Sequence, residues 1–154
     1  MTGANPAFPR FNHVALTVAA ELLDAAGRAD LLRFHSAVFG WTEMPTMTRD
    51  RELLVLRCHS NEQFVYLHAS SEPMRTTGTE HFGLSVTTPA ELTELYERAR
   101  TQQSSDPRVE LTKRNVDDFH VVKLHSFYVR YRLPLSIEVQ CFEWAPGFGP
   151  DRTQ

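Results

Sequence analysis

Two short segments of this sequence share one pattern of residues, and this repetition constrains the fold more than any other feature. The two runs are NHVALTV at 12–18 and EHFGLSV at 80–86, and a histidine, His13 or His81, stands at the same point of each. In both runs apolar residues alternate with small or polar ones, which is typical of a β-strand with one buried face. The sequence therefore predicts two copies of one folded unit, each beginning with a histidine-bearing strand.

The two faces of each predicted strand differ in character. One face carries valine, leucine or phenylalanine and is suited to a hydrophobic core. The other face carries the histidine and then small residues, which are Ala15 and Thr17 after His13, and Gly83 and Ser85 after His81. Small neighbours leave open space in front of an imidazole ring, so the pattern indicates a histidine that faces a cavity.

The same order of elements follows each of these strands. A helical pattern covers 19–41 in the first half, and in the second half a helix begins at the capping box TPAE, 88–91. Three strand-like runs come after each helix, at 42–48, 53–58 and 63–69 and at 109–114, 120–129 and 135–141. We expect an α+β fold, a single domain over 1–154. Two paired βαβββ modules, 11–69 and 80–143, would form one curled, barrel-like mixed sheet with the helices outside.

The composition fits a globular protein and argues against several functional classes. Hydrophobic residues make up 42% and charged residues 23% of the chain, and the net charge of -3 with no Lys/Arg block argues against a nucleic-acid partner. Cys58 and Cys141 lack CxxC spacing and are expected to be reduced thiols. No stretch is apolar enough for a secretory signal or a membrane span, so we expect a cytoplasmic protein without a membrane partner.

The last predicted strand offers a third polar side chain to the same cavity. In LSIEVQC, 135–141, Glu138 alternates onto the face opposite to Ile137 and Val139. A buried carboxylate needs a cation, a hydrogen-bond donor or a proton. Two neutral imidazoles and a carboxylate make a site for a divalent metal, for which Fe(II) is the leading candidate and Mn(II) or Zn(II) are alternatives. We therefore predict His13, His81 and Glu138 as metal ligands; the competing interpretation is that all three are ordinary strand residues.

These features together resemble the vicinal oxygen chelate superfamily. This superfamily pairs βαβββ modules and includes glyoxalase I, the bleomycin-resistance proteins and the extradiol ring-cleaving dioxygenases. The resemblance covers 11–143 and rests on NHVALTV, EHFGLSV and SIEVQ. It implies that a histidine from the first strand of each module and the glutamate of the last strand bind the metal, as in type I extradiol dioxygenases. Glyoxalase I usually has a fourth ligand where this chain has Tyr66.

Two further residues are candidates for catalysis. Tyr128, in the run SFYV, lies 10 residues before Glu138, and the resemblance implies that it hydrogen-bonds a catechol oxygen, although it could also be a packed aromatic residue. The family's acid–base histidine has no clear counterpart here. His120 shares strand parity with Tyr128 and is the better acid–base candidate. Arg130 and Arg132 flank the last hairpin and are expected to be solvated.

The resemblance implies a small metalloenzyme, similar to an extradiol dioxygenase, that acts on a catechol-like or other small vicinal-oxygen substrate. If oxygen is the co-substrate, the ring would be cleaved between a hydroxyl-bearing carbon and its neighbour. One alternative is a glyoxalase-type lyase or isomerase that uses Zn or Ni. Another is a metal-free protein that binds a small molecule such as an antibiotic. We expect a homodimer in each case, because such modules commonly pair edge to edge.

Overall fold

Two mixed β-sheets and two α-helices make up residues 9–150, the part of the chain that this computed structural model describes. The strands of the first half are β1 (His13–Val18), β2 (Thr42–Glu43), β3 (Leu53–Arg57) and β4 (Phe64–Ala69). Those of the second half are β5 (His81–Val86), β6 (Val109–Leu111), β7 (Asn115–Asp118), β8 (Val122–Tyr131) and β9 (Ser136–Trp144). The helices are α1 (Ala25–Phe39) and α2 (Pro89–Ser105). The predicted α+β class is confirmed, with two separate sheets and no closed barrel in this range.

The two sheets are built on the same plan. Their strand orders are β1-β4-β3-β2 and β5-β9-β8-β6, so β1 and β5 are edge strands that pair in parallel with the last strand of their own half. In the first sheet Ala15 lies opposite Tyr66. In the second sheet Gly83 lies opposite Glu138. The sequence repeat is therefore a structural repeat, and Tyr66 occupies the position that corresponds to Glu138.

The second half contains a strand that the sequence pattern did not predict. The expected strand 109–114 ends at Leu111, and residues 115–118 form β7, which pairs with β8 as a hairpin. All four residues of β7 are exposed and only Val116 is apolar, so the alternation that marks a half-buried strand is missing. The turn that follows includes His120, and β8 begins only at Val122.

The first helix is interrupted near its start. Residues Ala20–Leu23 form a 3-10 helix, and α1 begins after Asp24, whose carboxylate accepts a hydrogen bond of 2.8 Å from the Gly27 backbone N–H. Gly27 does not break the helix. A Cβ atom at this position would lie 2.2 Å from the carbonyl oxygen of Leu22, so only glycine allows the 3-10 helix to fold back onto α1. The predicted helix therefore exists but begins six residues later than expected.

One hydrophobic core includes side chains from both halves of the chain, and α1 packs against α2 within it. Fully buried members include Leu31, Phe34 and Val38 from α1, Leu54 and Leu56 from β3, and Phe127, Ile137 and Val139 from β8 and β9. On β1, Leu16 and Val18 face this core while His13 is exposed. The helices thus cover the sheet faces opposite to the histidines, which leaves the polar faces of both sheets open. No helix within residues 9–150 is long and apolar enough to cross a membrane.

A polar network connects the two halves beside the core. The carboxylate of Asp106, after α2, accepts hydrogen bonds from Arg33 of α1 at 3.1 Å, from Arg108 at 2.8 Å and from the hydroxyl of Tyr131 at 2.8 Å. Donation from Arg108, reinforced by Tyr131, holds the pKa of Asp106 well below its ordinary value. The network therefore fixes α1 against the second sheet with a carboxylate that remains charged.

Candidate metal and substrate site

The polar face of the second sheet brings together three of the predicted site residues, His81, Glu138 and Tyr128. They lie on the neighbouring strands β5, β9 and β8. The Nε2 atom of His81 is 3.2 Å from an Oε2 atom of Glu138, and the His81 ring packs edge-on against the Tyr128 ring with 5.1 Å between centroids. Tyr128 and Glu138 are direct cross-strand partners. Strand alternation and register therefore bring these three side chains together on one face of the sheet.

The orientation of the His81 ring is set by its other nitrogen. Nδ1 lies 2.8 Å from the carbonyl oxygen of Thr79, which can only accept a hydrogen bond, so Nδ1 carries the proton. A neutral His81 then directs the lone pair of Nε2 towards the carboxylate of Glu138. Two acceptors at 3.2 Å repel each other unless a cation lies between them. A proton on either partner or a metal ion would remove this repulsion.

The same arrangement fits a metal ligand pair. Ligating histidines usually donate their second ring N–H to a carbonyl or carboxylate, as His81 does to Thr79. Two ligands that are each about 2.1 Å from one ion are themselves about 3 Å apart, close to the observed separation of His81 and Glu138. The Glu138 side chain is only 9% exposed, so its negative charge requires compensation. These two donors suit a divalent metal, and a third would complete a facial site.

His13 does not join this pair within the chain. Its exposed ring stacks on Phe64, with 5.4 Å between centroids, and lines a second cavity of about 540 Å³ together with His59. Within residues 9–150, no three His, Cys, Asp or Glu side chains are arranged to hold a metal ion. The side chains of 13, 81 and 138 therefore do not converge in one chain, because His13 lines one cavity and His81 lines the other. The role of His13 as a ligand stays a prediction.

His120 lies in the turn between β7 and β8 and not on a strand. Its φ angle is 67°, and its backbone N–H donates to the Asp118 carboxylate at 2.9 Å. Strand parity applies only to residues within a strand, so the argument that placed His120 on the same face as Tyr128 is wrong. His120 is exposed and does not line the cavity beside His81. An acid–base role for it stays a prediction without geometric support.

A cavity of about 600 Å³ opens beside His81 and Tyr128. Its walls come from β5, β6, β8 and β9 and from the loop before β5, and its volume suits a small organic molecule. Burial raises the pKa of the Tyr128 hydroxyl, and the neighbouring carboxylate of Glu138 raises it further. Tyr128 therefore keeps its proton at neutral pH and can donate a hydrogen bond to a substrate oxygen.

Sequence reasoning missed Arg130, which lines this cavity instead of being solvated. Its side chain is 30% exposed, and its Nη2 atom lies 2.6 Å from the Glu110 carboxylate on β6. The Arg132 side chain is similarly exposed, at 29%, but it does not line this cavity and donates to Asp30 at 2.8 Å. A signal for Arg130 was present in the sequence, because it stands two residues after Tyr128 on the same strand and so shares its face.

Comparison with solved structures identifies the fold. No family model and no curated protein matches the sequence significantly. The chain is similar to lactoylglutathione lyase from Agrobacterium tumefaciens, with 18% identity, a TM-score of 0.60 and coverage of 89% of this chain and 96% of that one. It is also similar to a glyoxalase/bleomycin resistance protein/dioxygenase from Alicyclobacillus acidocaldarius, with 14% identity, a TM-score of 0.58 and coverage of 92% and 95%. The chain has the vicinal oxygen chelate fold.

A third solved structure with this vicinal oxygen chelate fold is a genomically encoded fosfomycin resistance protein from Listeria monocytogenes. It is 15% identical, with a TM-score of 0.57, and the alignment covers 88% of this chain and 94% of that one. The fold expected from the paired histidine strands is therefore confirmed. These neighbours include lyase and antibiotic-resistance proteins, so the fold by itself does not choose among the reactions considered above.

Proposed function

We propose that this protein is a divalent-metal-dependent enzyme that acts on a catechol-like or other vicinal-oxygen substrate in the manner of an extradiol dioxygenase. One observation supports this most directly: Nε2 of His81 faces the carboxylate of Glu138 at 3.2 Å while Nδ1 is already bonded to Thr79. A metal ion between the two acceptors satisfies both, and proteins of this superfamily commonly use divalent metals. The metal we expect is Fe(II), with Mn(II) or Zn(II) as alternatives.

The roles of the site residues follow from their positions. His81 and Glu138 hold the metal, which supplies Lewis-acid polarisation and a template for two adjacent substrate oxygens. Tyr128 stays protonated and donates a hydrogen bond to one of these oxygens. The edge-on packing of its ring against His81 restricts the orientation of both side chains.

A second copy of the chain would supply the third ligand. In one chain His13 is exposed on an edge strand, and its Nδ1 atom is 2.7 Å from the Asn12 side-chain oxygen, which leaves Nε2 available. The polar faces of both sheets are open, and a site with only His81 and Glu138 is incomplete. We propose a homodimer in which the partner subunit's His13 completes the site.

Complementation between two variants tests this shared site. His13→Ala and His81→Ala each remove one ligand from both sites of a homodimer, so each variant alone is expected to bind metal weakly. A heterodimer of the two, purified through two different tags, contains one intact site and one site that lacks both histidines. We expect about one metal ion per heterodimer, against about two per wild-type dimer.

The same measurement can contradict the arrangement. A heterodimer that holds no metal would reject a site shared between subunits. Wild-type metal content in the His13→Ala homodimer would remove His13 from the ligand set. Circular dichroism of each variant controls for folding, and size-exclusion chromatography with light scattering confirms that the measured species are dimers.

A glyoxalase-type lyase or isomerase with Zn or Ni is the second candidate. The likeness to lactoylglutathione lyase and to the fosfomycin resistance protein favours it. The position of Tyr66 argues against it, because a tyrosine stands at the register position that corresponds to Glu138, where the family's fourth ligand is expected.

Two assays separate these reactions. Protein reconstituted anaerobically with Fe(II) is expected to consume oxygen when catechol is added, and Glu138→Gln is expected to abolish the consumption. Protein loaded with Zn or Ni is tested in parallel with the hemithioacetal of methylglyoxal and glutathione. Turnover of the hemithioacetal without oxygen uptake would support the lyase and contradict the dioxygenase. Small-molecule binding by a protein that retains no metal would favour the metal-free binding protein.

A further inference from the structure

Arg130 shares a transverse row of the second sheet with His81. His81 lies opposite Ser136 on β9, and Glu110 on β6 lies opposite Arg130. Because Val129 is opposite Ile137, the next pair along the two antiparallel strands is Arg130 and Ser136. Adjacent strands are about 4.8 Å apart, so the backbones of His81 and Arg130 are about 10 Å apart. Both side chains line the same cavity, within reach of the two ends of one small molecule.

With the proposed metal bound, the charge of the cavity would favour an anionic ligand. Arg130 is the single lysine or arginine among the residues that line it. With a divalent cation at His81 and Glu138, the carboxylates of Glu138 and Glu110 and the guanidinium of Arg130 leave the cavity with a net positive charge. A carboxylate on the substrate would neutralise this charge, and an arginine can bind it through two parallel hydrogen bonds.

The existing partner of Arg130 does not block such binding. One oxygen of Glu110 receives both contacts, at 3.2 Å from Nε and 2.6 Å from Nη2, and within residues 9–150 the Nη1 atom has no hydrogen-bond acceptor. The Glu110 side chain is 63% exposed, and an ion pair with so exposed a partner contributes little. A substrate carboxylate can therefore displace Glu110 or bind beside it.

We propose that Arg130 is a specificity residue and that the preferred substrate is a vicinal-oxygen compound that also carries a carboxylate. The vicinal oxygens occupy the end of the cavity at His81, Glu138 and Tyr128, and the carboxylate occupies the end at Arg130. This inference rests on the proposed function, because the oxygens are directed by the metal pair. It adds the chemical class of the substrate and the residue that selects it.

Three probes test the inference on protein loaded with Mn(II) under anaerobic conditions, where catechols bind without turnover. Catechol has only the vicinal oxygens, benzoate has only the carboxylate, and 3,4-dihydroxybenzoate has both. We expect 3,4-dihydroxybenzoate to bind at least about tenfold more tightly than catechol. Arg130→Gln should abolish this preference by raising the Kd of 3,4-dihydroxybenzoate far more than that of catechol, whereas Glu110→Gln should tighten binding of benzoate and 3,4-dihydroxybenzoate. Arg132→Gln is the matched control, because Arg132 pairs with Asp30 outside the cavity.

The outcomes separate this inference from the proposed function. Equal affinity of wild-type protein for catechol and 3,4-dihydroxybenzoate would overturn the inference, as would an equal loss of both in Arg130→Gln. If catechol fails to bind wild-type protein, the proposed function is contradicted. Benzoate then decides the role of Arg130: binding that disappears in Arg130→Gln supports an anion site, and no binding to wild-type protein rejects it.

Discussion

Replacement of His81 by alanine is expected to lower the affinity for divalent metal by more than about 100-fold. The reason is that the variant keeps only the Glu138 carboxylate and, in the proposed dimer, the partner subunit's His13, and two donors compete poorly with water for a divalent ion at micromolar concentration. Glu138→Gln should have a similar effect, because a neutral amide removes both the negative charge and the stronger donor. Elemental analysis of protein purified without chelators gives the metal content, and titration calorimetry with Mn(II) measures the loss of affinity.

A matched control distinguishes a ligand from an ordinary strand histidine. His125 lies on β8, on the face opposite to Tyr128, and its Nε2 atom is 2.7 Å from the Glu143 carboxylate. We expect His125→Ala to retain the wild-type metal content. Undiminished metal content in both His81→Ala and Glu138→Gln would reject the assignment of this pair as ligands.

Acid pH is expected to destabilise the fold through His35. This residue of α1 is fully buried, its ring stacks on Trp41 at 5.2 Å, and its Nδ1 atom lies 2.8 Å from the Leu31 carbonyl oxygen. Its Nε2 atom is buried without a hydrogen-bond partner among the described residues, so a proton added there would be neither solvated nor paired. Burial accordingly lowers the pKa of His35 to about 4, from 6.5 in an unfolded chain.

The direction of the pH effect follows from this difference in pKa. Between pH 6.5 and about 4 the unfolded chain binds a proton at His35 more readily than the folded chain does. The free energy of unfolding is therefore greatest above pH 6.5 and decreases as the pH falls towards 4, by about 3 kcal/mol from this group. Urea unfolding at pH 7 and at pH 4.5 measures the decrease.

A variant without a titratable group isolates the contribution of His35. His35→Phe keeps an aromatic ring against Trp41, and we expect its stability to change less than that of the wild type between the two pH values. Parallel changes in the two proteins would contradict the prediction. If the variant does not fold, NMR titration of wild-type His35 decides the question, since the ring should stay neutral well below pH 6.

Prediction from the sequence was most accurate where a single local pattern, such as strand alternation or a capping box, determined the structure. Alternation identified β1 and β5 together with their exposed histidine faces, and the capping box was confirmed by hydrogen bonds between Thr88 and Glu91 of 3.2 and 2.9 Å. The rule failed at β7, whose exposed residues show no alternation because β8 stabilises the strand by backbone pairing. It also misplaced His120, because the hairpin turn ends the strand before that residue.

The sequence indicated which residues share the site, but only for residues that lie in the same sheet. His81, Glu138 and Tyr128 share a face of the second sheet because each lies at a position of the right parity on neighbouring strands. Arg130 obeys the same rule and could have been included. His13 is different, because its distance from the other three depends on how one sheet packs against another, and the periodicity of a strand contains no information about that packing.

By itself, the sequence determined the repeated unit and the polar face of each sheet, since both follow from local periodicity. Only the tertiary structure decided that His13 and His81 line different cavities within one chain. It also decided that His35 is buried without a partner for Nε2. These features depend on which surfaces the helices cover, and that is settled by packing of the whole core.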